Sequence, residues 1–297
     1  MDEIVTNVFV SSCEEAANLE LLLATGITHI LAIGTDFTEL FRQLKYFIVQ
    51  IDDDEHENAL KYFDAATEFI SASASAGKVL VHCAAGVSRS PTFVAAYLLK
   101  SRAISVDAAM LTIKSKHASA NPNDGFIAQL HIYHRMGCKI VTDSLDYRRF
   151  LLAQAAAEQQ LLGTITKLKL TASPTSSTVA YLRCKTCRRA LVPITSIISH
   201  EVGAGQAAFQ YRKRDTAIAR LQQQSTSSTN RCAGFFTEPM DWMREVSDGS
   251  IEGKVLCPGC DAKLGSFSWP GISCSCGTWV APAFMINKQK VDVLGNI

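Results

Sequence analysis

The sequence predicts an α/β fold, a central sheet flanked by helices, followed by a small C-terminal domain organised around metal. Three observations predict it. Short apolar runs alternate with helical patterns through the first half of the chain, the signature of a sheet covered by helices. Seven of the ten cysteines crowd into the residues after 183, mostly in close pairs. The length of 297 residues exceeds a single domain of about 100–200 residues, so two units with separate cores are expected.

Strands are expected over 5–10, 27–33, 46–51 and 78–82, where β-branched and aromatic residues dominate. Helical patterns cover 13–25, 58–74, 90–101, 106–117 and 125–136. Residues 142–162 also read as a helix, with Thr142, Asp143 or Ser144 available as its N-cap. The stretch 164–178 is rich in Ser and Thr and contains Pro174, as a linker would be. Residues 203–231 carry a basic patch, YRKR, and a run QQQSTSSTN, the composition of a mobile insertion. The expected organisation is a first domain over 1–143, a helix and linker over 144–180, and a metal domain over 181–297.

Net charge is +1, but its distribution is uneven: residues 1–150 carry 13 basic and 18 acidic residues, and residues 151–297 carry 16 and 10. A basic second half suits nucleic acid or an acidic protein surface, and ordinary solvated Lys and Arg explain it equally well. The chain starts Met1-Asp2-Glu3 without a basic and apolar leader. No apolar run approaches the roughly 18 residues of a membrane span. A cytoplasmic or nuclear location and no membrane partner are expected.

Residues 78–99, KVLVHCAAGVSRSPTFVAAYLL, place a strand, then Cys83, then a short loop, then Arg89 at the start of a helix. Loop amides and the positive end of the helix dipole converge there, which makes an anion site of the size of a phosphate. Arg89, six positions after Cys83, can grip two phosphate oxygens, and the same positive field favours the Cys83 thiolate, a nucleophile toward phosphorus. Gly86 sits where the backbone has to turn tightly. Hydrolysis also requires a general acid on a separate loop, and Asp52, Asp53 and Asp54 lie upstream between a strand and a helix. Cys13 and Cys138 read as small hydrophobic side chains, with a redox partnership to Cys83 as the alternative.

The second half offers Cys184, Cys187, His200, Cys232, Cys257, Cys260, Cys274 and Cys276. Eight N/S ligands satisfy two tetrahedral zinc ions with none left over, and clustered cysteines without a secretory leader favour metal over disulfides. Sequence order suggests Cys184, Cys187, His200 and Cys232 for one site and Cys257, Cys260, Cys274 and Cys276 for the other, with an interleaved arrangement open. Two closed sites of this kind are structural.

HCAAGVSRS resembles the signature loop of the protein tyrosine phosphatase superfamily. The flanking GITHILAIG, ALKYFDAATEFI and NPNDGFIAQL resemble its dual-specificity branch. The resemblance implies phosphorylated proteins as substrates, phosphoserine and phosphothreonine as well as phosphotyrosine, and catalysis without a cofactor. It implies that the amides of Ala84, Ala85, Gly86, Val87, Ser88 and Arg89 cradle the phosphate. Ser90 would stabilise the Cys83 thiolate as leaving group, and His82 would tune it from behind. Alignment of the KYF stretch with the family pattern points to Asp53 as the acid, with Asp52 or Asp54 as the neighbouring alternatives. YLRCKTCRRALV, MDWM, GKVLCPGCDAKLGSFSWPG and CSCGTWVAPAFMINKQKVD extend the resemblance to the zinc-finger dual-specificity phosphatases, the dual-specificity phosphatase twelve group. That group implies a second role, at the maturing large ribosomal subunit, exercised through the zinc domain.

Overall fold

The structure, a computed structural model, describes residues 1–162, 170–173, 180–200, 203 and 232–295. The chain divides into two compact units, Met1–Arg148 and Arg149–Ile297.

In the first unit, the apolar stretch expected as one strand over 5–10 is the turn of a hairpin. Strand β1 (Asp2–Val5) pairs antiparallel with β2 (Val8–Ser11), Val5 opposite Val8. Asn7 makes the reversal, at φ 67, a region Asn tolerates, and its side-chain amide donates to the Ala74 carbonyl at 2.9 Å. Helices α1 (Cys13–Ala16) and α2 (Leu19–Thr25) replace the single helix expected over 13–25. The break falls where the Asn18 side chain accepts from the Leu21 amide at 3.1 Å and starts a new helix.

Strands β3 (Ile27–Ile33), β4 (Lys45–Val49) and β5 (Lys78–His82) complete a sheet in the order β1-β2-β5-β3-β4, parallel from β2 onward. Strand β5 is central, and Val79, Leu80 and Val81 are fully buried, hence its unbroken apolar run. Helix α3 (Phe63–Ala76) starts five residues later than expected, after a 3-10 turn over Leu60–Tyr62, whereas α4 (Arg89–Arg102), α5 (Val106–Lys116) and α6 (Asp124–Arg135) follow the expected pattern closely. Phe63 meets Phe93 and Tyr133 edge-on at 5.4 and 5.3 Å, tying α3, α4 and α6 together. Each large side chain buried there contributes about 1.5–3 kcal/mol. Helix α7 (Leu145–Leu162) spans the division between units, and of the three cap candidates Ser144 is used: its Oγ accepts from the Tyr147 amide at 3.2 Å.

The second unit is built from short strands. Strands β6 (Tyr181–Cys184) and β7 (Ala190–Pro193) form one sheet with the last strand, and β8 (Ile197–Ile198), β9 (Gly234–Thr237), β10 (Glu252–Leu256) and β11 (Lys263–Ser268) belong to a second. Helix α8 (Arg244–Ser247) is a single turn, and β12 (Ile272–Ser273) and β13 (Trp279–Val280) make a separate hairpin. With β14 (Ala283–Asn287) and β15 (Val291–Leu294) the sheets read β10-β11-β14-β9-β8 and β15-β6-β7. Trp269, Phe267, Phe284, Met240 and Ile286 form its core together with Cys184 and Cys257. The Ser/Thr-rich linker expected over 164–178 lies outside the described residues except at 170–173, as does the insertion expected over 203–231 except at Gly203.

Candidate active site and metal sites

Cys83 follows the carboxyl end of the central strand β5, and the chain then loops through residues 84–88 into α4. Pro91 lies in the first turn of that helix, where amides have no partner within the helix and a missing N–H costs nothing. Gly86 makes the tight turn at φ 77. The loop's carbonyls are held on its outer side. The Ala84 carbonyl accepts from the Cys13 amide at 3.0 Å and the Val87 carbonyl from the Asn121 amide at 2.7 Å. The Gly86 carbonyl meets His117 Nε2 at 2.9 Å, and the Ser88 carbonyl accepts from Thr92 Oγ1 at 2.8 Å. Because each peptide is planar and trans, a carbonyl held outward turns the following N–H inward. The amides of Ala85, Val87, Ser88 and Arg89 are thereby turned away from those donors, beside the N-terminus of α4.

Cys83 is buried, 1% exposed, and Ser90 Oγ donates to its Sγ at 3.3 Å. Arg89 Nη1 donates to the Ile51 carbonyl at 3.2 Å, and Nε lies 3.7 Å from Asp53 Oδ2. Asp53 Oδ1 accepts from Ser88 Oγ at 2.7 Å and from Asn123 Nδ2 at 2.9 Å. Its neighbours are engaged elsewhere: Asp52 accepts from Thr35 Oγ1 at 2.9 Å, and Asp54 from the His56 amide at 2.7 Å within a turn. Of the three acidic residues, Asp53 is the one in contact with Ser88 and Arg89. His82 is buried behind Cys83 with its ring 4.9 Å from that of Phe37. Burial pushes its pKa down to about 4, against an opposing hydrogen bond with the Cys83 backbone, so the imidazole is neutral.

Sequence reasoning assigned no role to Asn123 or His117. The signal for Asn123 was present, since it precedes a helix whose Phe126 amide it caps at 2.9 Å. Its Oδ1 serves that cap while its Nδ2 serves Asp53. His117 carried no signal, because only the tertiary fold brings the end of α5 against Gly86.

In the second unit the eight expected ligands form two clusters, and they interleave. Cys184, Cys187, Cys257 and Cys260 gather in one, and His200, Cys232, Cys274 and Cys276 in the other, with all ligand atoms of a cluster within 4.8 Å of one another. The partition by sequence order is therefore incorrect. Its physical reason is that the two Cys-x2-Cys turns have the same backbone. The Cys184 amide bonds the Arg189 carbonyl and the Arg188 amide the Cys184 carbonyl, at 2.9 and 3.0 Å. Cys257 does the same with Ala262 and Asp261, both at 2.9 Å. Each turn offers half a tetrahedron, and the two halves meet. The antiparallel pair β8 and β9 brings His200 beside Cys232 although 32 positions separate them.

The donor sets fit a tetrahedral ion. Sulfurs bound at about 2.3 Å stand about 3.8 Å apart on a tetrahedral edge. Cys184 and Cys260 are 3.8 Å apart, Cys187 and Cys257 3.5 Å, and His200 Nε2 lies 3.3 Å from Cys276 Sγ. Burial and the adjacent thiols push Cys232 and Cys257 up to about 12. Burial raises Cys276 too, yet bonds from Thr278 and the Gly203 amide bring it down to about 5. Thiols packed this closely ionise together only around a cation.

A buried cysteine bonded by Ser90, followed by a tight loop and an arginine that opens a helix, with an aspartate beside that arginine, is the arrangement a cysteine-dependent phosphatase requires. A family model described as the catalytic domain of dual specificity phosphatases matches residues 8–136. The chain is 32% identical over 301 residues to Dual specificity protein phosphatase 12 of Rattus norvegicus, spanning 98% of this chain and 87% of the rat protein. It is 33% identical over 308 residues to the Homo sapiens protein of that name, spanning 98% and 88%. To the Tyrosine-protein phosphatase YVH1 of Saccharomyces cerevisiae it is 33% identical over 306 residues, spanning 90% and 84%. The similarity runs through both units, and the chain belongs to this family, the dual-specificity phosphatase 12 family.

Proposed function

We propose that the first unit hydrolyses phosphotyrosine and phosphoserine or phosphothreonine in proteins through a cysteinyl phosphate at Cys83. The observation that supports this reading is that the carbonyls of Ala84, Gly86, Val87 and Ser88 are each held by a donor, which favours turning the amides that follow them toward an anion beside Cys83. In the first step the Cys83 thiolate attacks phosphorus, the ester P–O bond breaks, and Asp53 donates its proton to the departing oxygen. Arg89 and the amides of residues 84–89 carry the charge on the phosphoryl oxygens. In the second step water attacks the cysteinyl phosphate and Asp53 takes its proton. The S–P bond then breaks to give inorganic phosphate and the Cys83 thiolate, which accepts the Ser90 hydroxyl hydrogen bond. Asp53 is anchored for this by Ser88 and Asn123, on the rim beside Arg89. A Cys83→Ser protein that hydrolysed an aryl phosphate at the wild-type rate would sink the reading.

The two clusters are read as zinc sites, one ion each, with every position filled by protein. Bound zinc would supply structural cross-links to short strands. Metal analysis is expected to find two zinc ions per chain, and zinc-free folded protein would overturn the assignment.

A second reading concerns the use of the second unit in the cell. Its own core, the 16 basic against 10 acidic residues of 151–297, and the family resemblance support a role in large ribosomal subunit assembly, in the cytoplasm and nucleus. In its strongest form the phosphatase is dispensable for that role. Full-length Cys83→Ser is then expected to co-sediment with large-subunit precursors, and Cys257→Ser to be lost from them. The reverse pattern refutes it.

A further inference from the structure

We propose that His117 is a positioning residue of the phosphate loop, holding the Gly86–Val87 peptide with its N–H turned toward the bound phosphate. The inference rests on reading residues 83–89 as that loop. Gly86 is its one residue with left-handed backbone, at φ 77, so the peptide that follows it makes the sharpest change of direction. Neighbouring carbonyls are secured by backbone amides, those of Cys13 and Asn121, or by Thr92 within α4. The Gly86 carbonyl instead depends on a side chain from outside the loop and its helix, His117 Nε2 at 2.9 Å.

The imidazole is well placed for the task. It is 11% exposed, follows the last turn of α5, and bonds the Ile113 carbonyl through its own amide at 2.8 Å. Its other nitrogen, Nδ1, lies 2.6 Å from Asp2 Oδ2 on β1, and Ser119 Oγ lies 3.0 Å from Nε2. Both ring nitrogens thus face oxygen atoms, which hold the ring from both sides. A donor on a peptide carbonyl polarises that peptide, which makes the Val87 N–H a stronger donor to an oxyanion on the other side. Asp2 fixes the ring, the ring fixes the peptide, and the peptide meets the phosphate.

The test compares full-length wild type, His117→Ala and His117→Gln by steady-state hydrolysis of an aryl phosphate, inhibition by tungstate, and thermal unfolding. Glutamine places a neutral N–H donor where Nε2 stands. His117→Ala is expected to lower kcat/KM and weaken tungstate inhibition by about tenfold, with His117→Gln recovering most of both. Wild-type tungstate inhibition and kcat/KM in His117→Ala would overturn the proposal. So would a His117→Gln protein as impaired as His117→Ala, because packing and not the donor would then be the cause. If His117→Ala does not fold, Asp2→Asn is expected to weaken tungstate inhibition about threefold, and an unchanged inhibition constant overturns the proposal. Failure of tungstate to inhibit the wild type would instead remove the phosphate-loop reading.

Discussion

Replacing Gly86 by alanine tests the loop geometry against an internal control. A methyl group at Gly86 would stand 2.9 Å from the carbonyl carbon and oxygen of Ser11 and 3.2 Å from the Ser12 amide nitrogen. These are backbone atoms, held by the pairing of Ser11 with His82 across β2 and β5. Gly137 has nearly the same conformation, φ 72 against 77, but a methyl group there meets nothing within 4 Å. The left-handed backbone alone costs an L-residue about 1–2 kcal/mol at either position. The clash at Gly86 adds about 1–3 kcal/mol. At roughly 3 °C per kcal/mol for a unit of this size, Gly137→Ala should lower the unfolding midpoint by about 3–6 °C and Gly86→Ala by about 10 °C. Activity should separate them further. Gly137→Ala keeps wild-type kcat/KM on an aryl phosphate, whereas Gly86→Ala loses about a hundredfold as the loop amides swing off the anion. Equal losses of stability in the two variants, or tungstate inhibition retained by Gly86→Ala, would refute the reasoning.

Asp53→Asn keeps the bonds from Ser88 and Asn123 and removes the transferable proton together with the charge facing Arg89, so kcat on phenyl phosphate should fall by about 10²–10⁴. The loss should shrink for p-nitrophenyl phosphate, whose leaving group needs no acid. His82 has a depressed pKa of about 4 in the fold against 6.5 unfolded, so its neutral burial stabilises fully above 6.5 and is lost as pH falls toward 4. Denaturant melts of the first unit should therefore lose up to about 3 kcal/mol across that window, and His82→Gln should flatten the dependence. Stripping metal with a chelator should unfold the second unit, visible by circular dichroism as two zinc equivalents are released, while aryl phosphate hydrolysis persists.

Strands β3 and β5 were legible in the sequence because both faces of a parallel strand are buried, and a continuous apolar run records that directly. The hairpin at Asn7 was not, since β1 and β2 are both β-forming and only one Asn marks the reversal. Cys83, Arg89 and Gly86 were legible because strand, nucleophile, turn and helix are contiguous. The choice among Asp52, Asp53 and Asp54 was not legible from the residues alone. It depends on Ser88 and Asn123, which arrive from 35 and 70 positions away. The eight metal ligands were legible, but their pairing by sequence order was not. Ligand identity is a local property of each turn, whereas ligand pairing is decided by which turns the sheets bring together, and the matched Cys-x2-Cys spacing was the unused clue.

The same distinction explains why the signature loop works in this chain. A cysteine and an arginine six residues apart do not by themselves orient an amide. The donors that hold the carbonyls outward come from Cys13 after β2, Thr92 in α4, and His117 and Asn121 after α5. Those from Cys13, His117 and Asn121 reach the loop only because β5 lies next to β2 in the sheet, with α5 packed against β1 and α4. Catalysis of phosphoryl transfer is mostly preorganised electrostatics. The cost of aiming the amides is thus met by the sheet order when the chain folds, and the substrate arrives at a site already set for it.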